Sequence, residues 1–549
     1  MTVKTDHDCI IIGAGFAGLR ALIETRRRGL TARLIEAGSD VGGTWHWNRY
    51  PGARTDSESW VYCFSFDEDL LQDWVWPQRY PDQPVMQSYL SHVADRFDLR
   101  RDIDLGTRVE RARRDDATNT WTVETDAGNT LRCTYLIPAV GPLSAAYEPP
   151  FPGIESFRGE RYLTARWPVE EVDFSGKRVA VIGTGATGVQ LIPQVAQRAS
   201  HLTVLQRTPN YVMPARNGPI DADQQKAIKA DYPAIWEQVR GQVFGFPMNP
   251  AGRVFSDVDD DEARRVLEHG WEIGGFRFLF ETFDDLLVDQ RCNDVASEFV
   301  RDKIRAIVHD RETAELLAPK NHPLGSKRPP LGHHYYETYN RDNVSLVDIS
   351  ANSIEAITET GLRLADGSTH DADILIFATG FDAATGALTA IDIRGSDGRS
   401  LGEVWADGAR THLGIAVTGF PNMFVLGGPG FPFGNFPPTT EFAVEWTADA
   451  IDHLRTNGHD VMQADPDAMD AWSRKLQEIV DATVLGQGEA VHTWFLGANV
   501  PGKAHVPLFY LGGIPGYFAE LRESADNGYS GFTFSRVAGA DPEEVALRV

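Results

Sequence analysis

Gly13-Ala14-Gly15-Phe16-Ala17-Gly18 and Gly183-Thr184-Gly185-Ala186-Thr187-Gly188 repeat one spacing, Gly-x-Gly-x-x-Gly, 170 positions apart. That spacing seats a pyrophosphate on backbone N–H groups at a helix N-terminus. The first glycine allows a tight turn, the second lets backbone approach the anion, and the third lets helix pack on strand. Glu36 lies about 20 residues past the first run, where a carboxylate can accept both hydroxyls of an adenosine ribose. At the equivalent point after the second run stand Gln206-Arg207-Thr208, with no acid. A guanidinium there grips a 2′-phosphate through paired hydrogen bonds, whereas a carboxylate would repel it. The first site therefore reads as FAD and the second as NADPH, an arrangement for passing electrons between two cofactors. Arg207 also fits a plainer role, a solvated residue at a strand end.

Other chemistry is poorly supported. Cys9, Cys63, Cys133 and Cys292 include no Cys-x-x-Cys pair, so neither a metal site nor the redox disulfide of flavin disulfide reductases is expected. His46, His322, His333, His334 and His492 show no ligand-like clustering beyond His333-His334 and read as solvated or core residues. No Gly-x-Ser-x-Gly elbow suggests a covalent nucleophile.

Each glycine run needs a strand before it and a helix after it. Cys9-Ile10-Ile11-Ile12 and Val179-Ala180-Val181-Ile182 supply the strands. Leu19, Leu22 and Ile23 form one helical face, Gly29 is a stop, and Thr31-Ala32-Arg33-Leu34-Ile35 returns as a second strand. In the second unit, His201-Leu202-Thr203-Val204-Leu205 is the returning strand, and Pro193 predicts an end or kink in the helix before it. Trp121-Thr122-Val123-Glu124 and Tyr135-Leu136-Ile137 read as further strands of the first unit, and Glu148-Pro149-Pro150-Phe151-Pro152-Gly153 as a linker. Residues 216–325 turn helical and charged, with Trp236, Phe244, Trp271, Phe276 and Phe280 spaced as core aromatics. Asp373 to Gly380 has the pattern of a buried strand ending in a turn, which returns the chain to the first unit. The expected fold is α/β, with two Rossmann-like dinucleotide-binding domains and a helical insertion. Residues 1–145 and 381–549 form the FAD domain, 146–215 and 326–380 the NADPH domain, and 216–325 the insertion.

A chain of 549 residues exceeds one ordinary core, so two or three domains are expected. A formal net charge of −26 disfavours nucleic acid and anionic membranes as partners. Arg26-Arg27-Arg28 reads as a solvated helix face. No apolar run is long enough to span a bilayer, and the polar start leads straight into a strand, so a soluble, unprocessed, cytoplasmic protein is expected. Composition leaves the oligomeric state open, a monomer included.

Beyond Glu36 the residues become specific. Gly42, Gly43, Trp45, Tyr50, Pro51, Gly52 and Asp56 match every fixed position of a motif of the type I Baeyer-Villiger monooxygenases, which this chain resembles. The likeness extends to Lys327-Arg328, Tyr335-Tyr336-Glu337-Thr338, Ala378-Thr379-Gly380 and Trp494-Phe495-Leu496-Gly497-Ala498-Asn499, and is weakest between 216 and 325. It implies a reaction in which NADPH reduces FAD, oxygen adds to give a flavin C4a-peroxide, and the peroxide converts a small ketone to an ester or lactone. Such chemistry needs a fixed cation to hold the peroxide deprotonated and to stabilise the oxyanion. Arg328 matches that cation and Asp56 the carboxylate that orients it. Alone, Lys327-Arg328-Pro329-Pro330 would suit a surface salt bridge, and Asp56 the cap of a helix starting at Ser57.

The resemblance assigns FAD to Gly13, Gly15, Phe16, Ala17, Gly18, Glu36, Gly43, Thr44, Trp45, Asp56, Val109 and Gly141. NADPH falls to Gly183, Thr184, Gly185, Ala186, Thr187, Gly188, Gln190, Arg207, Thr208, Lys327, Arg328 and Trp494, the last closing over the nucleotide. Phe431, Phe433 and Phe436 are expected substrate walls, and no metal is expected. One departure stands out. In the family's second motif Phe157, Gly159, Trp167 and Pro168 fit, but Leu163 occupies the histidine position, removing a donor and an acceptor. Alternatives are therefore a monooxygenase acting on nitrogen or sulfur, or an uncoupled NADPH oxidase or redox binder. Trp167 speaks against the first, because those relatives carry tyrosine there.

Overall fold

Three residues of Cys9-Ile10-Ile11-Ile12 are wholly buried, and this places β1 (His7–Ile12) in the middle of a sheet covered on both faces. The computed structural model describes residues 5–537. β1 pairs in parallel with β2 (Ala32–Ile35) and with β6 (Thr130–Pro138). The helix Phe16–Arg27 crosses between β1 and β2, and Gly29 supplies the left-handed turn that ends it, at φ +70°. β3 (Ile103–Asp104) extends the sheet beside β2. On the other flank β4 (Val109–Asp115) and β5 (Thr120–Thr125) continue from β6 as an antiparallel meander.

The second sheet is entirely parallel. β7 (Glu160–Leu163), β8 (Arg178–Ile182) and β9 (His201–Gln206) are followed by the two-residue pair β10 (Met213–Pro214) and β11 (Leu331–Gly332), then β12 (Val344–Asp348). β13 (Ile354–Thr358), β14 (Gly361–Leu364) and β15 (Thr369–Asp371) form a small antiparallel sheet before β16 (Ile374–Phe377). The order is β12-β9-β8-β16-β7, so the all-apolar β16 sits between two partners. The chain then returns, and β17 (Asp392–Arg394) joins the first sheet beside β4. The architecture is α/β, with a doubly wound nucleotide-binding unit around each sheet.

Pro193 does not end its helix, which runs from Ala186 to Ala196. The proline lies in the last turn, so the ladder bond it forfeits is the one to the Val189 carbonyl, while buried Ile192, Val195 and Ala196 hold the turn against β8 and β9.

Between 216 and 325 lie the helices Ala222–Gly241, Asp260–Ile273, Gln290–Ile307 and Arg311–Leu317. Each starts at an aspartate, Asp221, Asp259, Asp289 and Asp310, whose carboxylate accepts a first-turn N–H. The segment's apolar side chains pack on one another and merge with the cores of both units. Tyr232 and Trp236 pack into the apolar cluster of the first unit, while Trp271, Phe276 and Phe299 join that of the second. Among the described residues no helix is long and apolar enough to cross a membrane. The four cysteines are buried and free.

Candidate active site

Both glycine loops open onto one cavity of about 1000 Å³. A Cβ at Gly18 would stand 1.7 Å from the Gly13 carbonyl oxygen, and one at Gly188 2.3 Å from that of Gly183, so in each unit the third glycine brings helix onto strand. Gly13 has φ +103° and backs onto the Ala139 carbonyl, 2.7 Å from where a Cβ would be. Gly43, at φ +53°, approaches so closely that its Cβ would lie 2.8 Å from the Gly15 Cα. The loop before Thr44 thus closes a backbone cradle around the first glycine run, and a side chain at either glycine would fill it. At Gly185 a Cβ would meet nothing within 4 Å, leaving room for the second pyrophosphate.

Glu36 is buried and accepts from Ala14 N and Gly38 N, both at 2.6 Å. Burial raises its pKa, opposed by those two hydrogen bonds. Each carboxylate oxygen keeps a further lone pair for a ribose hydroxyl. Phe16, Ala17, Thr44, Trp45, Val109 and Gly141 also border the cavity. Tyr62, which sequence reasoning missed, meets the rings of Phe16 and Trp45 edge-on at 5.4 and 5.8 Å.

On the opposite side Arg207 is exposed just past β9, beside the largely buried Lys327. Burial first, and Arg207 second, pull the Lys327 ammonium down to about 8. Two cations converging at one end of the cavity, in a chain of net charge −26, form the donor set a 2′-phosphate requires. Thr184 and Thr208 are joined by a hydrogen bond from Thr184 Oγ1 to the Thr208 carbonyl, 3.3 Å. Ala186 and Thr187 border the cavity as well. Gln190 borders it too, but its amide is already engaged: Tyr50 Oη donates to Gln190 Oε1 at 2.8 Å, and Gln190 Nε2 donates to the Arg54 carbonyl at 3.0 Å. Gly52 completes this junction between the units, since a Cβ there would stand 2.4 Å from the Gln190 carbonyl oxygen.

Arg328 Nη2 donates to Asp56 Oδ2 at 2.5 Å. No helix begins at Ser57, so Asp56 is not a cap. The arginine's backbone is fixed by Asn210 Nδ2, which donates to its carbonyl at 2.9 Å, and by Met213 N, which donates to the Pro330 carbonyl at 3.0 Å as β10 pairs with β11. The Phe276 ring lies 5.8 Å from the guanidinium carbon.

Phe433 packs edge-on against Phe495, Trp494 and Phe244 at 4.8, 5.9 and 5.9 Å, and Phe431 meets Phe436 at 6.1 Å. Of the aromatics read as core, Phe244, Phe276 and Phe280 also border the cavity, as does Phe246, while Trp236 and Trp271 are core residues only. His322 and His333 are held neutral, pulled down by burial to about 4 and about 3. Among the described residues no group of three His, Cys, Asp or Glu could hold a metal ion.

Leu163 ends β7 opposite Phe377 and packs with Phe151, Phe157 and Ile154. Phe151 stacks on Phe377 with ring centroids 6.1 Å apart. An apolar cluster thus pins the linker where the motif would place an imidazole.

Residues 10–230 match a family model described as pyridine nucleotide-disulphide oxidoreductase. A Baeyer-Villiger monooxygenase of Pseudooceanicola batsensis is 43% identical over 98% of both chains. Phenazine N-monooxygenase PhzNO1 of Lysobacter antibioticus is 42% identical, covering 96% of this chain and 97% of its own. The crystal structure of cyclohexanone monooxygenase from Rhodococcus sp. Phi1 bound to NADP+ superposes with a TM-score of 0.94 at 41% identity, over 97% of this chain and 100% of the other.

Proposed function

The chain belongs to the Baeyer-Villiger monooxygenases, and from that premise we propose how its own residues serve the family's reaction. It is an FAD- and NADPH-dependent enzyme that uses molecular oxygen to convert ketones to esters or lactones. FAD, held by the first glycine run and Glu36, would supply the two-electron redox chemistry between NADPH and oxygen, with one oxygen atom entering the ketone and the other leaving as water.

The pair Arg328–Asp56 carries the assignment of roles, because it stands where both glycine loops face one cavity. Arg328 holds a permanent positive charge against the oxygen that must stay deprotonated, and then against the carbonyl oxygen as it becomes an oxyanion. Asp56 fixes the guanidinium by a charge-assisted hydrogen bond. Lys327 and Arg207 hold the 2′-phosphate of NADPH, Glu36 the adenosine ribose of FAD, and Trp494 shields the nicotinamide side from water. Phe431, Phe433 and Phe436, with Phe244 and Phe276, form apolar walls for a bulky ketone.

We assign residues 1–145 and 381–549 to FAD binding, 146–215 and 326–380 to NADPH binding, and 216–325 to an insertion that contributes to both cores. The net charge of −26 and four unpaired cysteines support a cytoplasmic enzyme without nucleic-acid or membrane partners.

Anaerobic reduction with NADPH, followed by air and a ketone panel, tests this reading. Bleaching of the flavin and NADPH-stoichiometric ester are expected. A thioether and a nitrogen heterocycle belong in the panel, since a relative oxidises nitrogen; oxidation of those compounds with no ester from any ketone would reject the assignment.

A further inference from the structure

Two arginines that the motifs leave unassigned face the FAD end of the cavity. Arg108 follows Thr107, whose N–H donates to the Glu36 carbonyl over 2.9 Å, and precedes the buried Val109 at the start of β4. Arg166 belongs to the other unit, in the turn after β7, and its guanidinium carbon lies 4.6 Å from the Trp47 ring centroid. Trp47 in turn ends the short helix Thr44–Trp47 that rises from the cradle. Both arginines border the cavity together with Glu36 and Trp47, and among the described residues neither side chain makes an ion pair. Arg166 Nη1 donates to the Ala165 carbonyl at 3.1 Å, and that bond leaves its charge uncompensated. Burial first, and Arg108 second, lower the Arg166 pKa, so the two cations feel one another. The nearby Glu36 carboxylate is engaged by Ala14 N and Gly38 N. Both side chains keep a solvent-exposed part, so the pair stands in the free protein, and an anion seated between them would be attracted by both charges.

We propose that Arg108 and Arg166 clamp the adenosine-diphosphate half of FAD, Arg108 from the FAD unit and Arg166, braced on Trp47, from the NADPH unit. The proposal rests on the FAD assignment above. Guanidinium groups pair bidentately with phosphate oxygens and lie flat on a purine ring, so both parts of that half suit them. Because one jaw comes from each unit, bound FAD ties the units together.

The test compares FAD retention by the purified holoenzyme and its Arg108→Ala, Arg166→Ala and doubly substituted forms, read as released flavin fluorescence during serial dilution at low and high salt. The expected result is an FAD dissociation constant roughly tenfold higher for each single variant. The double variant is expected to lose most of the salt dependence seen in the wild type. A merely structural role would not change that salt slope, and Arg108→Lys is expected to restore part of it. Wild-type retention and salt slope in the double variant would overturn the clamp. So would weakened NADP+ binding with FAD retention intact, which would assign the anion to the other nucleotide. Wild-type protein that holds no FAD at all would instead remove the FAD assignment on which the clamp rests.

Discussion

Arg328 and Lys327 are adjacent, yet only one can serve as a permanent charge. Burial beside Arg207 brings the lysine to about 8, within reach of deprotonation, while a guanidinium stays charged in the same surroundings. Replacing Arg328 by alanine is expected to cut ester formation by roughly two to three orders of magnitude while flavin reduction partly survives. Stopped-flow absorbance with product analysis separates the two steps, and normal ester formation would exclude Arg328 from the mechanism. The Lys327 shift sets a pH dependence. A phosphate favours the ammonium form, which prevails below about 8, so the apparent KM for NADPH is expected to rise as pH climbs through that value, with proton uptake on binding. Lys327→Arg is expected to flatten the profile, and a flat wild-type profile would remove the lysine from phosphate binding. At this scale the sequence was most legible where spacing alone dictates chemistry, as in the glycine runs and Glu36. It singled out Tyr50 and Gln190 separately but was silent on their hydrogen bond to one another, across 140 positions of chain.

Among elements, the strands and first-turn helices were legible because β-branched runs bury on both faces and the glycines allow one local geometry. Pro193 does not end its helix because burial of Ile192, Val195 and Ala196 offsets the one ladder bond the proline forfeits. Leu163 is informative in the opposite sense. Sequence shows a missing imidazole, and the structure shows Phe151, Phe157 and Phe377 occupying its surroundings. Leu163→His is therefore expected to destabilise the protein by about 1 kcal/mol, through loss of apolar contact at a partly buried position. Thermal unfolding of the holoenzyme checks this, and an unchanged midpoint would mean that the linker is held elsewhere. Gly43→Ala is expected to abolish FAD retention, since at φ +53° its Cβ would drive into Gly15.

For the molecule as a whole, two glycine runs foretold two nucleotide units, but not that the segment between 216 and 325 would divide its aromatics between both cores. Long-range packing of this kind leaves only a weak periodic trace in one sequence. Ligand linkage gives a global test: NADP+ at a hundred times its dissociation constant is expected to stabilise the holoenzyme by about 2.7 kcal/mol. Arg207→Ala should shrink that gain at the same concentration, and a full gain in the variant would deny it the 2′-phosphate.

Arg328 rides on the segment that returns from the insertion, whereas its counter-ion Asp56 belongs to the loop beside the first glycine run. Swinging the halves apart would strip the guanidinium of that carboxylate and leave it to bulk water, where a single charge is worth little. The role proposed for Arg328 is thereby tied to the seating of these two segments on one another, because the contact that aims its charge joins them.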